Sequence, residues 1–325
     1  MKRLIVLAII LALCFSALVS CSSKEEEYTL SLGVKASVSG AKVTETVASV
    51  LTDKDGKIVQ CRIDVIELSA KVDNRGDAVI SKPTSKRELG DSYGMSKYAE
   101  KGEWYTQAEH FERYVVGKTL EEIKNMPIEA GYPTDADLLA GCTIAVSDFQ
   151  TAVIKALEGN NKCTFRAKGD VTSSVATIGS ITATTATRED GSEDKTKITF
   201  SFQTDFATVV SAEKRIAGAA IDSIEVKLEC GVVDVEGEEV TKALNVLSST
   251  NRGTKFELGD NYGMAVYDPN NTAGEWYVQA IACAEGAIGY ETKKLSVYLE
   301  DNVAGCTMET SGYKAALVKA ADTVR

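Results

Sequence analysis

One histidine, His110, serves the whole chain of 325 residues. A Ser-His-Asp triad and a zinc site both draw on histidine, and no two cysteines stand in C-x-x-C spacing, so neither chemistry finds its usual set of groups. Positive charge is also scarce. The chain has 36 Lys and Arg against 47 Asp and Glu, a net charge of −11, a balance that disfavours nucleic acid and anionic headgroups as partners. Phosphate-binding loops are missing as well. LGDSYGM does not follow G-x-G-x-x-G, and Gly117-Lys118-Thr119 has Glu112 and Arg113 where a Walker loop needs its first glycine.

The residues present suit a globular protein. Hydrophobic residues make up 44% and charged residues 26%, and the length fits roughly two domains of about 150 residues. The chain opens MKRLIVLAIILALCFSALVSC, with Lys2 and Arg3 ahead of an apolar run from Leu4 to Leu18. This reads as a signal peptide over 1–20 and not as a spanning helix. Leu18-Val19-Ser20-Cys21 resembles a bacterial lipobox, which makes Cys21 the lipidated first residue of the mature chain and the bilayer its anchor. Residues 21–27 are then a short polar tether of about 20 Å at about 3.3 Å per residue. The expected location is the extracellular face of the cell membrane. Loss of Lys2 and Arg3 leaves 34 − 47, a net charge of −13.

Six cysteines follow Cys21: Cys61, Cys142, Cys163, Cys230, Cys283 and Cys306. Six allow about 15 connectivities, and their pairing stays open. Cys142 and Cys306 alone correspond between the two halves, while Cys61 and Cys230 fall on apolar faces of predicted strands, where a thiol behaves as a small hydrophobe.

The halves repeat each other. RELGDSYGM (87–95) matches FELGDNYGM (256–264), GEWYTQA (102–108) matches GEWYVQA (274–280), and AGCT (140–143) matches AGCT (304–307), at offsets of 169, 172 and 164. Conserved order with shifting offsets indicates a duplicated unit with loops of different length. The expected domains are 28–159 and 163–325, separated at Gly159-Asn160-Asn161-Lys162.

Each half begins as sheet. Val47 to Leu51 and Lys57 to Ile66, joined by Asp53-Lys54-Asp55-Gly56, predict a hairpin in which Val59, Cys61, Ile63 and Val65 share one face. Ile198, Phe200 and Phe202, and Ile224, Val226, Leu228 and Cys230, alternate in the same way, and Arg188 to Lys197 reads as a hairpin loop. Helical spacing follows. It places Trp104, Ala108, Phe111 and Val115 on one stripe before Gly117, a capping box at Thr119 and Glu122, and closing helices over Ser147–Leu157 and Ser311–Val324. The fold class is therefore α+β, two homologous domains, each an antiparallel sheet with helices packed against it.

DLLAGCT (137–143) and DNVAGCT (301–307) precede those closing helices. The blocks LGDSYGM and GEWYTQA, the hairpin VLTDKDGKIVQCRID and this closing motif together resemble the flavinylated, FMN-binding surface lipoproteins of Gram-positive extracellular electron transfer, the pheromone-lipoprotein family. In the wider FMN-binding domain family the attachment motif reads D-x-x-S-G-A-T. A flavin transferase, Mg²⁺-dependent and using FAD as donor, links FMN through its phosphate to the threonine. The resemblance assigns Asp137 and Asp301 to the Asp, Gly141 and Gly305 to the Gly, and Thr143 and Thr307 to the acceptor. Ala140 and Ala304 stand where Ser is usual, and Cys142 and Cys306 where Ala is usual.

Each position has a physical reason. Thr holds its hydroxyl in few rotamers, Gly removes a Cβ from the path of a phosphate or the modifying enzyme, and Asp can order a loop or take part in metal binding. A following helix N-terminus favours an anion. The plain alternative is a turn ending in a structural Thr. Trp104 and Trp276 read as core anchors, Tyr105 and Tyr277 as candidates to pack on the flavin ring, LGDxYGM as either a flavin-facing loop or a tight turn, and His110 as a surface residue.

The resemblance implies an electron carrier and not a self-contained enzyme. It implies a membrane quinol-oxidising system as donor and ferric iron or free flavin as acceptor. The alternative is a flavin-free ligand-binding or adhesive lipoprotein of the same fold.

Overall fold

The computed structural model describes residues 24–236, 241–267, 272–298 and 304–324. The signal segment, Cys21 and Asp301 lie outside the described residues.

Alternating apolar residues build two four-stranded antiparallel sheets. The first contains β1 (Glu26–Ser39), β2 (Lys42–Asp53) and β3 (Ile58–Ser69). A two-residue pair, β4 (Ile128–Glu129) and β5 (Tyr132–Pro133), stands apart. Then come β6 (Lys162–Ala167), β7 (Val171–Thr187), β8 (Glu193–Ala212), β9 (Arg215–Val235) and β10 (Thr241–Asn251). The sheet orders are β3-β2-β1-β6 and β10-β9-β8-β7. Four long helices complete the mixed α+β fold: α1 (Trp104–Val115), α2 (Ser147–Glu158), α3 (Trp276–Glu285) and α4 (Ser311–Thr323).

These elements stack in four layers. Leu32, Val34, Val43, Val47, Ile66 and Leu68 of the first sheet pack against Phe200, Phe202, Phe206, Ile224, Val226 and Leu228 of the second, forming a core between the sheets. On the outer face of the first sheet, Ala48, Val50, Cys61, Ile63 and Val65 meet Trp104, Phe111, Phe149 and Val153 of α1 and α2. On the outer face of the second, Ala207, Val209, Ala219 and Ile221 meet Trp276, Ala280, Tyr313 and Leu317 of α3 and α4. Strands buried on both faces explain their long apolar runs. Gly33 is required by this stacking, since a Cβ there would stand 2.3 Å from the Ala152 carbonyl oxygen of α2.

Several expectations from the sequence change. Val59 leaves the face shared by Cys61, Ile63 and Val65, because Leu51 pairs with Gln60 and Thr52 with Ile58, so Val59 is the extra residue of a β-bulge. It packs instead with Tyr28, Leu30 and Leu51. The loop expected over 188–197 is shorter, since β7 reaches Thr187 and β8 starts at Glu193. Lys162–Ala167, beyond the expected domain boundary, pairs with β1 and extends the first sheet. The capping box forms as read, with Glu122 Oε2 accepting the Thr119 N–H at 2.8 Å.

Contacts between the sheets are reciprocal. Lys155 of α2 pairs with Glu257 at 2.7 Å, and Lys319 of α4 pairs with Glu88 at 2.7 Å. Glu88 and Glu257 occupy matching places in RELGD and FELGD. This exchange of like contacts is the pattern of an isologous interface.

Candidate functional site

Both AGCT threonines sit in the same local structure. In the first half, Gln107 of α1 is fully buried. Its Oε1 accepts the Thr143 N–H at 2.9 Å and the Thr143 hydroxyl at 3.2 Å. Its Nε2 donates to the Gly102 carbonyl at 3.2 Å and approaches Met95 Sδ at 3.6 Å. In the second half, Gln279 of α3 does the same work. Its Oε1 accepts the Thr307 N–H at 2.8 Å and hydroxyl at 3.2 Å, and its Nε2 reaches Gly274 at 3.0 Å and Met264 Sδ at 3.3 Å. Thr143 and Thr307 remain exposed. A buried amide thus fixes both the backbone and the hydroxyl of an otherwise exposed threonine.

The other repeated residues build the frame around that glutamine. Gly102 and Gly274 take φ of 84°, a conformation that favours glycine. Glu103, at the N-cap of α1, accepts the Met95 and Ser96 N–H groups at 2.9 and 3.0 Å, and Glu275 accepts that of Met264 at 2.9 Å. Trp104 and Trp276 are buried core residues. Tyr105 donates to Asp91 at 3.0 Å and Tyr277 to Asp260 at 3.2 Å. The accepting carboxylate holds each phenol above its ordinary pKa. LGDxYGM forms a tight 3-10 turn closed by a left-handed glycine, Gly94 at φ 78° and Gly263 at φ 85°. Lys86 lies 5.0 Å from the Tyr93 ring centre and Lys255 5.6 Å from that of Tyr262, both contacts being of cation–π type.

The two glycines of AGCT have different causes. A Cβ on Gly141 would stand 2.3 Å from His110 Nδ1, whereas Gly305 adopts φ 83°. His110 is therefore no simple surface residue. It is partly buried, and its Nε2–H donates to the Asp137 carbonyl at 2.8 Å, fastening the DLLAGCT loop to α1. Asp137 is exposed, and it is Asp135 that caps the turn by accepting the N–H groups of Asp137 and Leu138.

The first N–H groups of the closing helices are bonded within the chain. Val146 and Ser147, at the start of α2, donate to the Gly131 carbonyl at 2.8 and 3.2 Å. At the start of α4 the Ser311 N–H donates to the Glu309 carboxylate at 2.8 Å.

Beside Thr143 lies an open cleft of about 500 Å³, lined by Met95, Tyr98, Tyr132 and Ile144 among others. Tyr98 is 92% exposed, and Tyr267, three residues after Met264 as Tyr98 is three after Met95, is 90% exposed. The cleft brings Thr143 together with Tyr98 and Tyr132, which sequence reasoning did not select, although the repeated spacing of Tyr98 and Tyr267 was visible. The same holds for Gln107 and Gln279, identical in both GEWY blocks. Another cavity, of about 320 Å³, lies away from the AGCT loops between α2 and the second sheet, lined by Gly33, Lys155, Asn161, Asp222 and Phe256. Among the described residues no group of three or more His, Cys, Asp or Glu is placed to hold a metal, and no helix is long and apolar enough to cross a membrane.

No family model matches the chain. A chlorophenol reductase of Desulfitobacterium hafniense is 31% identical over 120 residues, covering 28% of this chain and 37% of that protein. The chain thus spans little more than a third of that relative's length. A Bacteroides fragilis protein of YmcC-like fold, described as exported, aligns with 71% of this chain and all of that one at 9% identity and a TM-score of 0.12, too low to establish a shared fold.

Proposed function

We propose that the protein is a membrane-anchored, extracellular electron-transfer flavoprotein, built from two homologous units and carrying FMN as a phosphoester on Thr143, on Thr307 or on both. The supporting observation is the repeated setting of the two threonines, each an exposed residue whose backbone and hydroxyl are both held by a buried glutamine of the GEWY helix. Bound FMN would supply the redox chemistry, and the protein would tether it and shape its surroundings.

The residues of the first half fit such a group. The surface beside Thr143 is open and shallow, and Tyr98, Tyr132 and Met95 offer planar and polarisable faces to an aromatic ring there. On esterification the Thr143 oxygen loses its proton and no longer donates to Gln107, which retains the Thr143 N–H. The remaining negative charge of the phosphodiester would stand at the protein surface, where water solvates it. Tyr105 and Tyr277 are held by Asp91 and Asp260, so their part in this reading is to orient the turn that carries Met95 and Met264.

Anchorage through Cys21, delivery of electrons by a quinol-oxidising membrane system and discharge to ferric iron or free flavin belong to the same proposal. The reductase name of the Desulfitobacterium relative is in keeping with redox work. The test is co-expression with an FAD-dependent flavin transferase, followed by intact mass measurement of wild type, Thr143→Ala, Thr307→Ala and the double variant. The expected result is an FMN-sized increment per accepted threonine, lost only at the substituted position. No increment in wild type with an active transferase overturns the reading and leaves the flavin-free binding lipoprotein.

A further inference from the structure

We propose that Cys283 and Cys306 are a redox-active dithiol that closes to a disulfide by exchange with a disulfide-bearing oxidant, and that closure locks the AGCT loop of the second half onto α3. Their sulfurs lie 3.0 Å apart, about 1 Å beyond a disulfide bond length. Among the described cysteines this is the one such approach, and all six are thiols.

The pair exists in one half alone. The position matching Cys283 at the GEWY offset of 172 is Phe111, which packs edge-on to Phe149 at 5.3 Å. Cys142, the counterpart of Cys306, is fully buried in that aromatic core. A thiol in place of a core phenylalanine gives up much apolar burial, and it is placed where it meets the cysteine next to Thr307. Gln279 and Cys283 are four residues apart and share one face of α3. Gln279 holds Thr307, and Cys283 meets Cys306.

The chemistry balances by thiol–disulfide exchange. The thiolate of Cys306, the more accessible of the two, attacks one sulfur of the oxidant R–S–S–R and expels RS⁻. The Cys283 thiolate then attacks the Cys306 sulfur of the mixed disulfide and expels the second RS⁻. Two protein thiols give up two electrons and two protons, and the oxidant leaves as two RSH. Burial, with the adjoining Cys306, holds the Cys283 thiol well above its ordinary pKa.

The purified protein is equilibrated in buffers of oxidised and reduced glutathione, quenched with N-ethylmaleimide and mapped by peptide mass, with hydrogen exchange read in parallel. The expected result is a Cys283–Cys306 linkage, Cys61, Cys142, Cys163 and Cys230 remaining thiols, and at least tenfold slower exchange of the Thr307 amide in the oxidised form with Thr143 unchanged. Cys283→Ser and Cys306→Ser should each abolish both effects, and either variant suffices if the other fails to fold. Cys306 pairing with Cys163, or staying unlinked at the most oxidising ratio, overturns the proposal, as does a linkage that leaves Thr307 exchange unchanged. The consequence for flavin transfer rests on the functional reading above: the oxidised form should accept less FMN at Thr307 than the reduced form, with Thr143 as internal control. Failure of both threonines to label would sink the flavin reading while leaving the linkage and exchange results intact.

Discussion

The hydroxyls of Ser49 and Thr208 meet at 2.5 Å in the buried layer between the two sheets. Ser49 in TVASVLTD and Thr208 in DFATVVSA hold matching places on β2 and β8, so like meets like across the interface. The proton positions follow from the surroundings. Thr208 donates to the Ser174 carbonyl at 2.7 Å, so Ser49 must donate to Thr208.

That direction makes the two truncations unequal. Ser49→Ala removes a donor but leaves Thr208 bonded to Ser174, and should cost about 0.5–1.5 kcal/mol. Thr208→Val strands both the Ser49 hydroxyl and the Ser174 carbonyl, and should cost about 2–3 kcal/mol. Urea unfolding of the two variants decides it, and equal losses would show that the proton runs the other way.

A second contrast between the halves concerns charge. In the first, Glu112 is 3% exposed, pairs with Arg87 at 2.5 Å and Arg62 at 3.5 Å, and accepts the Ile63 N–H at 2.7 Å. The matching positions of the second half are Ala284, Phe256 and Ala220. An ionic cluster and an apolar one therefore solve the same packing problem. Glu112→Ala alone should cost about 2–4 kcal/mol, because it removes the buried carboxylate that two guanidinium groups share and leaves Arg87 the more exposed Glu109 at 3.5 Å as its ion-pair partner. Replacing all three residues by their counterparts, Arg62→Ala, Arg87→Phe and Glu112→Ala, should recover at least half of that loss. If the triple variant is less stable than Glu112→Ala, the two clusters are not interchangeable.

The same exchange governs two buried acids. Asp64 and Asp222 match, and each accepts a backbone N–H of the short helix beside it, from Arg87 and Phe256. Burial raises both carboxyls. Arg87 restrains the rise at Asp64, while Asp222 lacks a cation and is pushed up to about 7. Glu45, fully buried between the sheets, is pushed up to about 8 by burial, with the Thr204 hydroxyl holding the rise back.

Each of these acids stays protonated when folded over a range in which the unfolded chain has already released its proton. Stability must therefore fall as pH rises, from about 4 to about 7 for Asp222 and from about 4.5 to about 8 for Glu45, by at most about 1.4 kcal/mol per pH unit for each group. Above those limits the two contributions are flat. Thermal unfolding at pH 5, 6.5 and 8 should show the decline, and Glu45→Gln and Asp222→Asn should each flatten it. A wild-type profile as flat as those of the variants would mean that neither acid holds its proton.

Local pattern carried much of this fold in advance. Trp104 and Trp276 in the core, the Thr119 and Glu122 box and the alternation around Phe200 and Phe202 all depend on neighbours within a few residues. What escaped depends on distant partners. Gln107 acts on Thr143 from 36 positions away, His110 decides why residue 141 is glycine, and a bulge turns Val59 to the other face. Sequence spacing cannot show which sheet Lys162–Ala167 joins, because that strand pairs with β1 across the whole first half. Asp301 lies outside the described residues, so its place beside Thr307 rests on the motif alone.

Gln107 and Gln279 allow the sharpest test of the site itself. Each is completely buried and satisfies backbone groups on both sides of the candidate acceptor loop. Leucine fills a similar volume but makes none of those bonds. Gln107→Leu and Gln279→Leu should each lower stability by about 1–3 kcal/mol. The two losses should add, because the residues lie in opposite outer layers. Stability alone would not separate a structural glutamine from one that presents an acceptor. In the transferase assay, Gln107→Leu should depress labelling at Thr143 and spare Thr307, and Gln279→Leu should do the reverse. Equal labelling of both threonines in folded variants would show that the loop needs no glutamine to be recognised, and the repeated Gln–Thr contact would then be a packing feature of the GEWY helix.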